Sequence, residues 1–336
     1  MGKKKRKILI IIIALIVSVS IMTPLILIFV PFSFGTIKIA QVDTGGKATD
    51  VIVKDDIAYV IDTADGNPGG LIMINVSQKT NPIVIGSYLG SGIPWAIDME
   101  NHIAYLANFN EGLEIIDVND PSNPFKIGYY YGSGHCTDVQ VDGDIVYMAD
   151  WAHGLVILNV SDPSNVKEIS RFDITGDCYQ LHILNDIVCI LDHYSSYTGL
   201  IMLNISDPSH PFEIGNHYLP DVDYWNPLLV ENYVYVGNHA INGGGLHILD
   251  VSSPTDFSQV GLYHGGGSIF AAFIKDERAY LADYEKGLII LDVSDKSNPI
   301  KIAQFFDGGH AYDIFIEDNI AYVADSEHGL EIIEIL

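Results

Sequence analysis

Cysteine is scarce in this chain. Three residues in 336 (Cys136, Cys178 and Cys189) are too few for a disulfide scaffold and too scattered for a zinc finger. Positive charge is also scarce beyond the N-terminus. There are 17 Lys and Arg against 43 Asp and Glu, a net charge of −26. All five charges in the first 34 residues are positive (Lys3, Lys4, Lys5, Arg6, Lys7), which leaves −31 on the remainder. So acidic a surface argues against a nucleic-acid backbone or an anionic membrane surface as the main partner, since both repel it. Catalytic signatures are missing as well. No H-E-x-x-H helix motif and no G-x-S-x-G elbow occur. Gly90-Ser91-Gly92 and Gly132-Ser133-Gly134 resemble phosphate loops, but no third glycine or lysine follows and strands come next. What the chain has is 48% hydrophobic residues, 31 Gly, 14 Pro and 19 Tyr, the composition of a folded, turn-rich protein.

Residues 8–34 carry no charge and are mostly Ile, Leu and Val. As a helix they would span roughly 40 Å, more than the ~30 Å hydrocarbon core of a bilayer, and Pro24 kinks such a helix without forbidding it. A cleaved signal has a shorter apolar core and a small-residue cleavage site. Here the run continues past Ser18 and Ser20, so an uncleaved anchor is favoured over a cleaved signal. Arg6 stands where a myristoylation motif starting at Gly2 needs Ser or Thr. The basic cluster sets the orientation: N-terminus in the cytoplasm, residues 35–336 outside.

The rest of the chain is one unit repeated seven times. Gly-Leu pairs begin at Gly70, Gly112, Gly154, Gly199, Gly245, Gly287 and Gly329, spaced by 42, 42, 45, 46, 42 and 42 residues. That period, without helical periodicity inside it, suits four-stranded propeller blades. Strand A reads DVIV (50–53), DVQV (138–141) or DIFI (313–316). Strand B reads IAYV (57–60) or IVYM (145–148). Strand C reads LIMINV (71–76) or LEIIDV (113–118), and strand D reads IVIGSY (83–88) or FKIGYY (125–130). Near-continuous apolar strands fit blades covered on both faces by neighbours. The last unit stops at Leu336 after strand C, whereas an orphan strand D, IKIAQV (37–42), precedes the first and matches IKIAQF (300–305). Pairing the two closes the ring and removes exposed sheet edges. The expectation is therefore an all-β fold: a seven-bladed β-propeller of four-stranded blades, closed by an N-terminal strand and preceded by one transmembrane helix. Residues 1–34 form the basic stub and anchor, and residues 35–336 the propeller.

The phrase GLVILNVSDPSN (154–165) and its six relatives resemble the LVIVD repeat family of bacterial and archaeal surface proteins. The resemblance implies a propeller and a surface location, and transfers no catalytic residue. Cys189 departs from the pattern, replacing the strand-B tyrosine of Tyr59, Tyr105, Tyr147, Tyr235, Tyr280 and Tyr322.

Antiparallel strands place the A–B and C–D turns on one face, the bottom, and the B–C hairpins and D–A crossings on the other, the top. All three tryptophans fall on top, with His135, His153, His193, His239, His264, His310 and His328. An acid or amide opens every B–C hairpin (Asp62, Asn108, Asp150, Asp192, Asn238, Asp283, Asp325) and reads first as a turn residue bonding its own backbone. Trp95, Tyr179, Trp225, Phe270 and Tyr312 precede strand A and can pack between blades. Phe109, Trp151 and Tyr284 sit at hairpin tips, where aromatics more often make contacts. Trp95, Phe109, Trp151, Trp225 and Tyr284 are the candidate ligand-binding residues. Two matching triplets, His135–Asp150–His153 and His310–Asp325–His328, are candidate ligands for a divalent metal, although their convergence depends on loop shape. Cys136 and Cys178 occupy equivalent crossings and either bridge or stay buried thiols. Asn75, Asn159 and Asn204 head glycosylation sequons, at a position where other units carry Asp.

Two functions follow as expectations. The first is a display propeller that binds a protein, peptide or surface glycan through the top. The second is an extracytoplasmic metal-dependent hydrolase or lyase in the top funnel. Strand 37–42 runs from bottom to top after a short linker, so the top is expected to face away from the membrane.

Overall fold

The computed structural model describes residues 35–336 except 64–68, 133–134, 195–196, 221–222, 240–242 and 254. The expected anchor lies outside the described residues. Within them, no helix is long and apolar enough to cross a membrane. Among the described residues, twenty-eight strands form seven four-stranded antiparallel sheets. Blade one has strands A to D at Lys47–Lys54, Ile57–Thr63, Gly70–Asn75 and Ile83–Leu89. Blades two to six follow in the same order over 94–130, 136–172, 177–220, 224–264 and 269–305.

Blade seven is completed from the other end of the chain. Its strands A to C are Asp313–Glu317, Ile320–Ala324 and Leu330–Ile335, and its strand D is Thr36–Val42. The register runs antiparallel from Thr36 opposite Ile335 to Val42 opposite Leu330. Leu336 N adds a bond to Gly35 O at 2.9 Å. The orphan strand thus closes the ring as its sequence suggests.

The core lies between blades. Seven clusters each join residues of adjacent blades; one combines Tyr105, Leu113 and Ile115 of blade two with Val139, Val146 and Met148 of blade three. Strands B and C are buried almost throughout, as in GLVILN (154–159), where only Asn159 is exposed. Strands D form the half-exposed outer edge. Blades approach closely there. A Cβ on Gly128 would lie 1.9 Å from Pro163 O of the next blade, so only glycine fits.

Cys136 and Cys178 are both free thiols, buried in different cores: Cys136 between blades two and three, Cys178 between blades three and four. Equivalent positions face the same way round the ring, so the two thiols lie in neighbouring interfaces and no bridge forms. The sequon asparagines have the same task as the aspartates they replace. Ser77 N donates to Asn75 Oδ1 at 3.0 Å just as Ser294 N donates to Asp292 Oδ1 at 2.9 Å, capping the C–D turn.

Candidate functional site

Strand A of each blade lines the central channel, and a β-bulge sits near the start of this strand in six blades. Register breaks fall at 48/50, 94/96, 136/138, 178/180, 225/228 and 269/271. In five of them the residue skipped by the ladder is Thr49, Trp95, Thr137, Tyr179 or Phe270. A bulge re-aims a side chain that would otherwise alternate with its neighbours. This is how Trp95, Tyr179 and Phe270 reach the channel mouth.

The aromatics of the D–A crossings and those of the hairpin tips are interleaved. Trp95 stacks on Phe109 at 5.0 Å, and Phe109 meets Trp151 at 5.1 Å. Trp151 meets Tyr179 at 5.0 Å, and Tyr179 lies 4.5 Å from the His193 ring and 6.0 Å from Trp225. Trp225 meets Phe270 at 5.1 Å, which contacts Tyr284 and Tyr312 at 5.5 and 5.2 Å. All five candidate binding residues belong to this belt, which runs from blade two to blade seven. Blade one interrupts it with Thr49 and Thr63. The rings are half-exposed; Trp95 is the most open at 37%.

Beneath the belt lies a cavity of about 660 Å³, lined by Trp95, Trp225, Phe270 and Tyr312 above and by Asp50, Asp98, Asp138, Gln140, Gln180 and Asp313 below. Thr49 Oγ1, Trp225 Nε1 and His239 Nδ1, all in its wall, are buried without a hydrogen-bond partner. Buried orphan polar atoms are uncommon and costly, so a bound ligand or water is the natural partner.

The acids below were missed as a functional group in the sequence. Each reaches across to the next blade. Asp313 accepts from Val51 N at 3.1 Å, Asp50 from Ile97 N at 2.9 Å, and Asp98 from Val141 N at 2.8 Å. Asp138 accepts from Leu181 N at 2.9 Å, and Gln180 from Asn226 N at 2.7 Å. Burial pushes the Asp98 carboxyl up to about 6 and Asp138 to about 7, against these stabilising bonds. Asp50 and Asp313 hydrogen-bond one another, which requires a shared proton. Burial, then Asp313, holds Asp50 well above the ordinary carboxylate range. A signal existed: D-Φ-x-Φ opens strand A at Asp50, Asp138 and Asp313.

The acid or amide at each B–C hairpin is buried, none more than 6% exposed. Some bond their own hairpin as expected: Asp283 Oδ1 accepts from Glu285 N at 3.1 Å. Others brace the D–A crossing instead, as Asp62 does by accepting from Gly46 N at 3.0 Å. The crossing glycine lies against the carboxyl. A Cβ on Gly309 would lie 1.8 Å from Asp325 Oδ2. Burial raises Asp192 and Asp283 to about 6.

The metal triplets are not brought together as triplets. In blade three, His153 Nδ1 meets Asp150 Oδ1 at 3.2 Å, but the His135 ring packs edge-on against Phe109. In blade seven, the His310 ring stacks on Tyr284 at 4.3 Å. His328 and Asp325 do converge, with two residues the repeat comparison passed over, Asp307 and Glu331. Burial, then the neighbouring Asp307, pushes Glu331 up to about 8.

Many solved structures share this fold. A crystal structure of the computationally designed Ika8 protein superposes with a TM-score of 0.60 over 89% of this chain and 99% of its own, at 8% identity, a likeness of fold alone. No curated protein matches the sequence. The LVIVD repeat model matches seven times, at residues 45–90, 94–131, 133–174, 195–218, 226–264, 273–306 and 308–335. These matches cover each of the seven blades, and on them the chain belongs to the LVIVD-repeat family.

Proposed function

We propose that this chain is a membrane-anchored propeller, held outside the cytoplasm, whose top funnel binds a protein or peptide presenting a basic group. The observation carrying this reading is the aromatic belt above a channel lined with carboxylates. Ring faces attract cations, by ~0.5–2 kcal/mol each according to desolvation. The net charge of −31 beyond the N-terminal segment steers basic partners toward the propeller. Flat, half-exposed rings also suit the apolar face of a sugar, so an amino-glycan is the second ligand class. The hydrolase or lyase reading has less support, because neither metal triplet assembles and the channel acids already accept backbone N–H groups.

Anchoring rests on the basic cluster followed by the 27-residue apolar run. The bottom rim of the propeller carries exposed apolar residues. Ile37, Ile83, Val84, Phe125, Phe212 and Ile300 begin D strands there and are 46–56% exposed. The test of binding is tryptophan emission of the full-length chain titrated with a lysine-rich peptide. A saturable change that weakens with salt is expected. A glutamate-rich peptide binding equally well would overturn the charge argument.

A further inference from the structure

The seam where the ring closes carries a second polar cluster. Asp307 lies in the crossing from blade six, Asp325 begins the B–C hairpin of blade seven, His328 lies in that hairpin and Glu331 follows in strand C. One ligand atom from each lies within 4.8 Å of the others. Two further observations point to a ligand. Asp325 is 97% buried, yet its Oδ1 has no hydrogen-bond partner. His328 Nδ1 faces three carboxylates, at 3.3 Å from Asp325, 3.7 Å from Asp307 and 3.9 Å from Glu331, and hydrogen-bonds none of them.

A nitrogen placed near three oxygens but aligned with none is poorly arranged for hydrogen bonding and well arranged for coordination. Zinc–ligand bonds of about 2.0–2.2 Å give tetrahedral edges of about 3.3–3.6 Å. The three separations from Nδ1 match those edges to within a few tenths of an ångström. Charge agrees as well. Lys38 of strand D bonds Asp307 and Glu331, the latter at 2.9 Å. Metal binding takes the proton from Glu331, and three ionised carboxylates with one ammonium then leave −2 beside a neutral imidazole. Lys38 Nζ also reaches Gln41 Oε1 at 2.8 Å, so it has a partner to keep when an ion enters.

We infer that Asp307, Asp325, His328 and Glu331 form a divalent transition-metal site beside the closing seam. Three oxygens and one imidazole suit Zn²⁺ or Mn²⁺ better than Ca²⁺. The site ties the crossing from blade six to the hairpin and strand C of blade seven, beside the strand that closes the ring. Blade three supplies the internal control. It keeps Asp150 and His153 but carries Gly132 and Val156 where blade seven has Asp307 and Glu331.

The test is calorimetric titration of the chelator-stripped full-length chain in detergent with ZnCl₂, repeated with MnCl₂ and CaCl₂. One Zn²⁺ per chain and a higher melting temperature are expected. His328→Ala is half-exposed and leaves the core intact; with Glu331→Gln it is expected to weaken binding at least ~10-fold. Lys38→Gln removes the competing ammonium and tightens binding, whereas His153→Ala changes nothing. Absence of Zn²⁺ binding overturns the inference. So does binding that survives both His328→Ala and Glu331→Gln, or that falls equally in His153→Ala.

Discussion

Replacing Asp138 by Asn isolates the energetic cost of placing carboxyls in the channel. Asp138 accepts from Val139 N at 2.8 Å and Leu181 N at 2.9 Å, yet burial still pushes it up to about 7 from an ordinary 3.8. Below about pH 4 both folded and unfolded chains hold the proton, and the group is neutral to stability. Between about pH 4 and 7 the unfolded chain releases it while the folded chain keeps it. The folded state then binds more protons, and stability falls as pH rises, by at most ~1.4 kcal/mol per pH unit. Across the interval from 3.8 to about 7 the ceiling is ~4 kcal/mol. Asp138 keeps a face on the cavity, whose water screens the charge, so about half that figure is expected, ~2 kcal/mol. Asn retains one carbonyl acceptor and does not titrate. Urea unfolding of wild type and Asp138→Asn from pH 4.5 to 8 should therefore show the variant gaining ~2 kcal/mol on the wild type as pH rises, then levelling above about pH 7. A difference constant across this range, or one of opposite slope, would refute the assignment of a buried, proton-retaining carboxyl.

Three further outcomes follow. A chain beginning at residue 44 lacks strand D of blade seven and uncovers Leu330 and Ile332; it should aggregate or melt at least ~10 °C below one beginning at residue 35, given several lost ladder bonds of ~1 kcal/mol each. Ellman's reagent should find no reactive thiol in the native chain and three after unfolding, because Cys136, Cys178 and Cys189 are buried and burial raises each thiol above its ordinary range. Protease added to intact cells should degrade the propeller, and full protection would show the opposite orientation.

The repeat and its closure were legible because each blade repeats the same residues at the same positions, down to the strand D displaced to the N-terminus. The aromatic belt was only half legible. Trp95 and Phe109 are 14 residues apart in sequence, one near the start of strand A and one at a hairpin tip, and nothing in the sequence shows their contact; the bulge that skips Trp95 brings the rings to 5.0 Å. Repeat equivalence also leaves the polar cluster of blade seven hidden. His135 and His310 both pack against rings of the belt, whereas Asp307 and Glu331, which approach Asp325 and His328, depart from the repeat. The channel acids were visible as letters, but their role depends on a neighbouring blade's N–H groups, which one unit's sequence cannot display. Asp98 stands two positions further along strand A than Asp138. Asp98 pairs with Tyr105 of strand B, whereas Asp138 pairs with Ala149, so no single column of the repeat holds all four.

The claim that the top funnel is the binding site is tested most directly by comparing two triple variants of the full-length chain for affinity toward a lysine-rich peptide. One carries Phe109→Ala, Trp151→Ala and Tyr284→Ala in the belt; the other carries Phe125→Ala, His210→Ala and Phe212→Ala at the bottom. The belt variant should lose at least ~10-fold in affinity, since three ring contacts at ~0.5–1 kcal/mol each are removed, and the bottom variant should bind as wild type does. Loss confined to the bottom variant, or equal affinity in both, would contradict the account.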